Sequence, residues 1–175
     1  VAEVLFGDYN PAGKLPVTFY RNVSQLPDFE DYNMTGRTYR YMQDVPLFPF
    51  GYGLSYTTFG YGKTVLDKNE LTAGQSLKLT VPVTNTGKRN GEEVVQVYLR
   101  KQGDAEGPIK TLRAFKRVSI PAGKTVNVEF DLKDKELEWW DDQSNTVRVC
   151  PGNYDIMVGG SSKEEDLQRT TIAIK

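Results

Sequence analysis

Histidine is absent from this chain, which removes the commonest general base and the commonest metal ligand. Serine–histidine and cysteine–histidine catalysis are excluded within these residues, and so is a histidine-ligated zinc site. Cysteine is scarce: Cys150 stands alone, no intrachain disulfide can form, and the fold must rest on its core. Lying near Val147 and Val149, Cys150 reads as a small buried hydrophobe rather than a nucleophile. No apolar run is long enough to cross a bilayer. A formal net charge of −1 offers no strongly basic face. Neither a membrane nor a nucleic acid is an expected partner. No signal peptide opens the chain; Val1-Ala2-Glu3-Val4-Leu5-Phe6 reads as the last turns of a helix already under way, so a longer parent protein is expected.

What is present suffices for a folded unit and more. The chain has 175 residues, 38% of them apolar and 26% charged, enough to bury a core. It divides near residue 60. The first part is rich in aromatics, Gly and Pro. Gly7 closes the opening helical stretch, where a left-handed residue is favoured. Asn10-Pro11-Ala12-Gly13 signals a turn. Lys14-Leu15-Pro16-Val17-Thr18-Phe19 alternates like a strand, at an edge because Pro16 cannot donate to a ladder. Residues 21 to 46 show no period and are expected to be an extended loop, laid over another domain or functional.

Beyond residue 60 the period becomes two. Leu77-x-Leu79-x-Val81-x-Val83, Val95-x-Val97-x-Leu99, Val126-x-Val128-x-Phe130-x-Leu132, Tyr154-x-Ile156-x-Val158 and Ile172-x-Ile174 each alternate. Such segments are strands with one face on a core. Leu66 to Leu71 and Leu112 to Ile120 fit further strands. Turn signals at Asn85-Thr86-Gly87, Asn90-Gly91, Pro121-Ala122-Gly123 and Pro151-Gly152-Asn153 separate them. About seven short strands without a long helix predict an antiparallel β-sandwich of immunoglobulin-like type.

A family likeness is carried by four segments in order. These are Leu5-Phe6-Gly7-Asp8-Tyr9-Asn10-Pro11-Ala12-Gly13-Lys14-Leu15-Pro16-Val17-Thr18-Phe19, the stretch from Pro46 through Phe48-Pro49-Phe50-Gly51-Tyr52-Gly53 to Phe59, Val83-Thr84-Asn85-Thr86-Gly87 through Tyr98, and Pro151-Gly152-Asn153-Tyr154 through Ser162. Together they resemble the C-terminal region of family 3 glycoside hydrolases of the β-xylosidase/β-glucosidase type. The resemblance implies a mainly β fold. Residues 1–59 would be the tail of an α/β sandwich domain plus an interdomain loop, and residues 60–175 a fibronectin type III-like domain. It also implies partners: the parent's own upstream barrel and α/β domains, and an oligosaccharide substrate. A secreted or periplasmic setting is expected for the parent, and no cofactor or metal. In such enzymes the nucleophile is an Asp of the barrel, commonly in a Ser-Asp-Trp setting, and the acid/base is usually a Glu of the α/β sandwich. Neither segment occurs here, so no catalytic residue is expected in this chain. Gly36-Arg37-Thr38-Tyr39-Arg40-Tyr41 resembles the β-xylosidase and α-arabinofuranosidase branch more than typical β-glucosidases.

Several residues are weighed as site candidates. Retaining glycoside hydrolysis needs two carboxyl groups about 5 Å apart. Glu92-Glu93, Asp141-Asp142 and Glu164-Glu165-Asp166 are the available clusters, and all are expected to be solvated. Neighbours on a regular strand point to opposite faces, so Glu92 and Glu93 would not converge. Arg37, Tyr39 and Arg40 would line the parent's active site or pin the loop to a neighbouring domain. Trp139 and Trp140 would stack on sugar, or one ring would cap the core and the other cover an interface. Asn22-Val23-Ser24 and Asn33-Met34-Thr35 fit the N-glycosylation sequon. Two other functions stay open at this point: a free-standing carbohydrate-binding module, with Tyr98 the main out-of-phase aromatic, and a structural immunoglobulin-like module.

Overall fold

A computed structural model describes residues 1–175. Two sheets face each other across one apolar core. The first sheet is organised around β4 (Leu77–Asn85), whose Leu77, Leu79, Val81 and Val83 all point inward and are buried. One edge of β4 pairs with β7 (Thr125–Leu132). The other edge pairs end to end with β1 (Phe59–Tyr61) and β2 (Val65–Leu66). The break between those two short strands has a local cause at Pro82: the Gly62 N–H still donates to the Pro82 carbonyl at 2.7 Å, but Pro82 has no N–H to return the bond, and its ring would lie 2.8 Å from a Cβ on Gly62.

The second sheet runs β3 (Glu70–Leu71), β11 (Gln168–Ile174), β10 (Gly152–Gly159), β5 (Gly91–Lys101), β6 (Thr111–Ile120). All pairs are antiparallel except β3 with β11, which is parallel. A separate hairpin joins β8 (Trp139–Asp141) to β9 (Thr146–Arg148). The core gathers Val95, Val97, Leu99, Val128, Ile156 and Ile172 from both sheets. The alternation therefore predicted the inward faces of the long strands, and the mainly β sandwich is the fold observed.

Three details differ from expectation. Leu66 to Leu71 is not one strand: Val65–Leu66 belongs to the first sheet and Glu70–Leu71 to the second, so the chain changes sheets through Asp67-Lys68-Asn69. Lys14 to Phe19 is not a regular strand. Only Phe19 bridges Phe48, while the Leu15 backbone exchanges hydrogen bonds with Tyr52 and Gly51. Pro16 interrupts the ladder between those contacts. Residues 21 to 46 are not wholly extended either: Val23–Gln25 forms a 3-10 turn and Thr38–Tyr41 one turn of α-helix. The opening helix, Ala2–Phe6, ends on Gly7 at φ 82°, as the sequence signal required.

Candidate functional site

β5 has two buried faces. Val95, Val97 and Leu99 enter the sandwich core, and the opposite parity places Gln96 and Tyr98 beneath the loop. The Gln96 amide donates to the carbonyls of Gly51 at 3.3 Å and Gly160 at 2.5 Å. Its oxygen accepts from the Tyr98 hydroxyl at 2.5 Å. The loop approaches so closely that a Cβ on Gly51, which has φ 77°, would lie 2.1 Å from Gln96 Oε1. Burial, with Tyr39 nearby, holds the Tyr98 hydroxyl protonated far above its ordinary range. Tyr98 is thus not a solvent-facing sugar platform; it is roofed over.

The roof is Tyr39. Its ring stacks on Phe50 at 4.3 Å and meets Tyr98 edge-on at 5.9 Å, while its hydroxyl accepts from the Leu112 N–H at 3.1 Å. Arg37 points elsewhere: its guanidinium donates to the Asn33 carbonyl at 2.9 Å and to the Asp31 carbonyl, bracing the loop internally. Arg40 lies over the Tyr41 ring, and its carbonyl accepts from the Ile109 N–H at 2.6 Å. Between Arg37 and Tyr39, Thr38 adopts φ 53°. A β-branched residue in the left-handed region is strained, and such strain concentrates at functional segments. Arg37, Tyr39 and Arg40 therefore do not converge on one point. Beside the loop opens a cleft of about 800 Å³ whose walls include Tyr39, Phe48, Tyr52, Arg21, Arg100 and Lys110.

A second, smaller cleft of about 440 Å³ includes Lys14, Tyr61, Glu93 and Asp166. Here the expectation of solvated carboxylates fails. Glu93 is buried, accepts from Lys14 Nζ at 3.0 Å and accepts from the Tyr61 hydroxyl at 3.0 Å. Burial raises its pKa above the ordinary value, against the opposing pull of Lys14 and Tyr61. The signal was available: Glu93 shares the parity of Val95 and Val97. Glu92 points the other way, to Arg117, so the pair does not converge. Asp141 is held down to about 2 by hydrogen bonds from Ser144 and Arg148. Glu164 pairs with buried Lys110 at 2.8 Å.

The two tryptophans part company. Trp139 is buried in the core, edge-on to Tyr154 at 6.1 Å, with its Nε1–H on Asp104 at 2.6 Å. It cannot stack on sugar, because both ring faces are inside the protein. Trp140 is 50% exposed, and its Nε1–H donates to Asp142 at 2.8 Å. Cys150 is buried, as its neighbours suggested. No group of three or more His, Cys, Asp or Glu side chains is placed to hold a metal ion, and no helix is long and apolar enough to cross a membrane.

Comparison with known proteins adds to this geometry. Residues 1–56 match the glycosyl hydrolase family 3 C-terminal domain, and residues 93–162 match the fibronectin type III-like domain. A xylan 1,4-β-xylosidase of Xylanibacter ruminicola is 53% identical over 99% of this chain, which spans 20% of that protein. A periplasmic β-glucosidase of Salmonella typhimurium is 37% identical over 93% of this chain and 23% of its own length. Among solved structures, a β-glucosidase of Erythrobacter marinus superposes with a TM-score of 0.83 at 41% identity, over 99% of this chain and 23% of that one. The chain thus spans between a fifth and a quarter of the relatives it matches.

Proposed function

This chain belongs to the family 3 glycosyl hydrolases, and from that premise we propose that it is the C-terminal, non-catalytic portion of an exo-acting, retaining enzyme that removes terminal β-linked xylose or glucose. The reading rests chiefly on one observation: similarity runs over 99% of this chain yet accounts for 20% of the β-xylosidase it resembles. The carboxylates of this chain support the same conclusion. Glu92, Glu93, Asp141 and Glu164 are each engaged by a basic side chain. In the intact enzyme a carboxylate nucleophile and a carboxylic acid, both supplied by other parts of the chain, would form and then hydrolyse a glycosyl-enzyme intermediate.

Residues 60–175 would act as a buttress, and residues 1–59 as the tail of the α/β domain with its interdomain loop. Leu5, Phe6, Val23, Phe29 and Tyr32 are exposed and apolar or aromatic, a surface suited to covering by the parent's own upstream domains. Arg37, Tyr39 and Arg40 would serve the parent by fixing the loop, with contact to substrate as the alternative role. Of the two tryptophans, only Trp140 keeps a ring open to solvent. The test is direct. The 175-residue chain should show no turnover of aryl β-xylosides or aryl β-glucosides, and the coding sequence upstream of Val1 should specify an Asp-bearing barrel. Turnover that survives removal of contaminating hydrolases would overturn the proposal.

A further inference from the structure

The cleft beside the loop is a built feature rather than a gap between loose segments. One wall is the loop from Met42 to Pro49, with Tyr52. The other is the end of the second sheet, from Arg100, Ile109 and Lys110 across to Ser162 and Glu165. Backbone hydrogen bonds tie the walls together: the Ser162 N–H donates to the Phe50 carbonyl at 2.9 Å, and the Ile109 N–H donates to the Arg40 carbonyl at 2.6 Å. Lys110 is buried in the second wall, and its ammonium donates to the Ser162 carbonyl and to Glu164, both at 2.8 Å. Glu164 also holds Arg169. The walls are therefore set before any ligand arrives, which lowers the entropic cost of binding one.

The lining combines two chemistries. Phe48, stacked on Tyr52 at 5.2 Å, is still 38% exposed, and Pro46, Leu47 and Pro49 continue the apolar strip. Around it stand Arg21, Asp44 and Arg100, all exposed and none in an ion pair. Four cationic side chains line the cleft, Arg21, Arg100, Lys110 and Lys163, against three acidic ones, Asp44, Glu164 and Glu165. A strongly charged ligand of either sign would meet nearly as much repulsion as attraction here. A neutral ligand fits better if it is apolar on one face and both donor and acceptor at its rim. A sugar ring has that character: its C–H groups pack on aromatic and proline rings, and each hydroxyl can donate to a carboxylate while accepting from a guanidinium. A volume of about 800 Å³ lies high in the range that encloses a drug-sized molecule, so it suits two or three linked rings better than one. We propose that this cleft binds a short, neutral, β-linked xylo- or gluco-oligosaccharide, with Phe48 as its packing surface and Asp44 and Arg100 as hydroxyl-binding groups on opposite walls. The identity of the sugar rests on the glycosidase reading above; the preference for a neutral, polyhydroxylated ligand rests on the lining.

The experiment titrates the isotopically labelled chain with xylotriose and with cellotriose and follows its backbone amides by NMR. Xylose, sodium acetate and N-acetylphenylalaninamide are the comparison ligands. Saturable shifts are expected with at least one trisaccharide, concentrated in residues 42–49, at Tyr52 and Arg100, and in residues 162–165. That trisaccharide should bind at least about tenfold tighter than xylose, because more than one ring is held. Arg100→Ala and Asp44→Ala should each weaken it about fivefold, the equivalent of one hydrogen bond, with thermal unfolding unchanged. Phe48→Ala should abolish saturation, whereas Phe48→Tyr, which keeps the packing surface, should retain it. Absence of saturation with both trisaccharides would overturn the proposal. Equally tight binding of acetate would do so by marking an anion site, and equally tight binding of the amide by marking an apolar peptide groove. Unchanged affinity in both Arg100→Ala and Asp44→Ala would also overturn it. The glycosidase reading is tested separately, by turnover and by the sequence upstream of Val1, so a chain that binds no trisaccharide would leave that reading standing.

Discussion

Lys14 and Glu93, 79 positions apart in sequence, form a 3.0 Å ion pair that ties the N-terminal segment to the sandwich. Both ends are largely withdrawn from water, with side-chain exposures of 18% and 7%. Removing one partner of such a pair strands the other. Lys14→Met should destabilise the chain by about 3 kcal/mol, and urea unfolding would measure it. Glu93→Gln should cost less, because the neutral amide keeps a hydrogen bond to Tyr61 without a buried charge.

The same carboxyl gives a pH signature of definite sign. Burial raises the Glu93 pKa above its value of 4.5 in the unfolded chain. Between those two values the native state holds a proton that the unfolded chain has released, so the stability contributed by Glu93 is lost as pH rises through the window. Carboxylates held low, such as Asp141, act in the opposite sense and at lower pH. The quantity to measure is therefore a difference. The stability of the native chain minus that of Glu93→Gln should fall as pH rises from 4.5 upward and then level off. A difference that rises with pH would mean that Lys14 outweighs burial.

Thr38 supplies a prediction of the opposite kind, a gain. Its φ of 53° suits Asn far better than a β-branched side chain. Its hydroxyl also accepts from the Arg40 N–H at 3.2 Å, a role that an Asn side-chain oxygen can fill. Thr38→Asn should raise stability by about 0.5–1 kcal/mol. A loss of stability, read from thermal unfolding, would show that the hydroxyl contact outweighs the backbone strain.

The contrast between Val97 and Arg113 shows how much was legible in the sequence. Strict alternation placed Val97, Leu99, Val128 and Ile156 inward because a half-buried strand has only one period available to it. The parity of Glu93 was equally visible, but a charged residue on the apolar parity is read as an exception until its partner is known, and Lys14 is too distant in sequence to be found. Arg113, the extra residue of a β-bulge where Val97 faces Ala114 and Tyr98 faces Leu112, was invisible for a different reason. A bulge shifts register by one residue, and nothing in Leu112-Arg113-Ala114 announces where the extra residue falls. The break of Leu66 to Leu71 between two sheets is likewise a property of tertiary pairing. Tyr98 read as an outward aromatic because its parity is outward; that the loop covers that face depends on Tyr39 and Phe50, which carry no period.

Parity also yields the sharpest test of the core. Val97 is fully buried and Val128 nearly so, each lined on all sides by apolar groups of both sheets. An aspartate at either site would have no cation and no donor. Isolated burial of that charge costs several kcal/mol, comparable with the ~5–15 kcal/mol that holds a domain together. Val97→Asp and Val128→Asp should each abolish cooperative unfolding and near-ultraviolet circular dichroism, while exposed Lys63→Ala should alter neither. A folded, monomeric Val97→Asp would refute the facing of β5.

Tyr39 separates the two roles proposed for the loop. Its hydroxyl satisfies the Leu112 N–H, and its ring fills the space between Phe50 and Tyr98. Tyr39→Phe removes only the hydrogen bond and should cost about 1 kcal/mol. Tyr39→Ala also removes the ring and uncovers Tyr98, and should cost about 3 kcal/mol. In the full-length enzyme the same substitutions discriminate pinning from substrate contact. If Tyr39 pins the loop to the sandwich, Tm falls in the order native, Tyr39→Phe, Tyr39→Ala, and the kcat and KM of the still-folded enzyme stay near native values. If the residue touches substrate, KM or the preference between xyloside and glucoside moves while Tm holds for Tyr39→Phe. The contacts made by the ring favour pinning, since its hydroxyl and both neighbouring aromatics are engaged within this chain. Indifference of both Tm and kinetics to Tyr39→Ala would show that the roof over Tyr98 contributes nothing, and would remove the loop from the function of the enzyme.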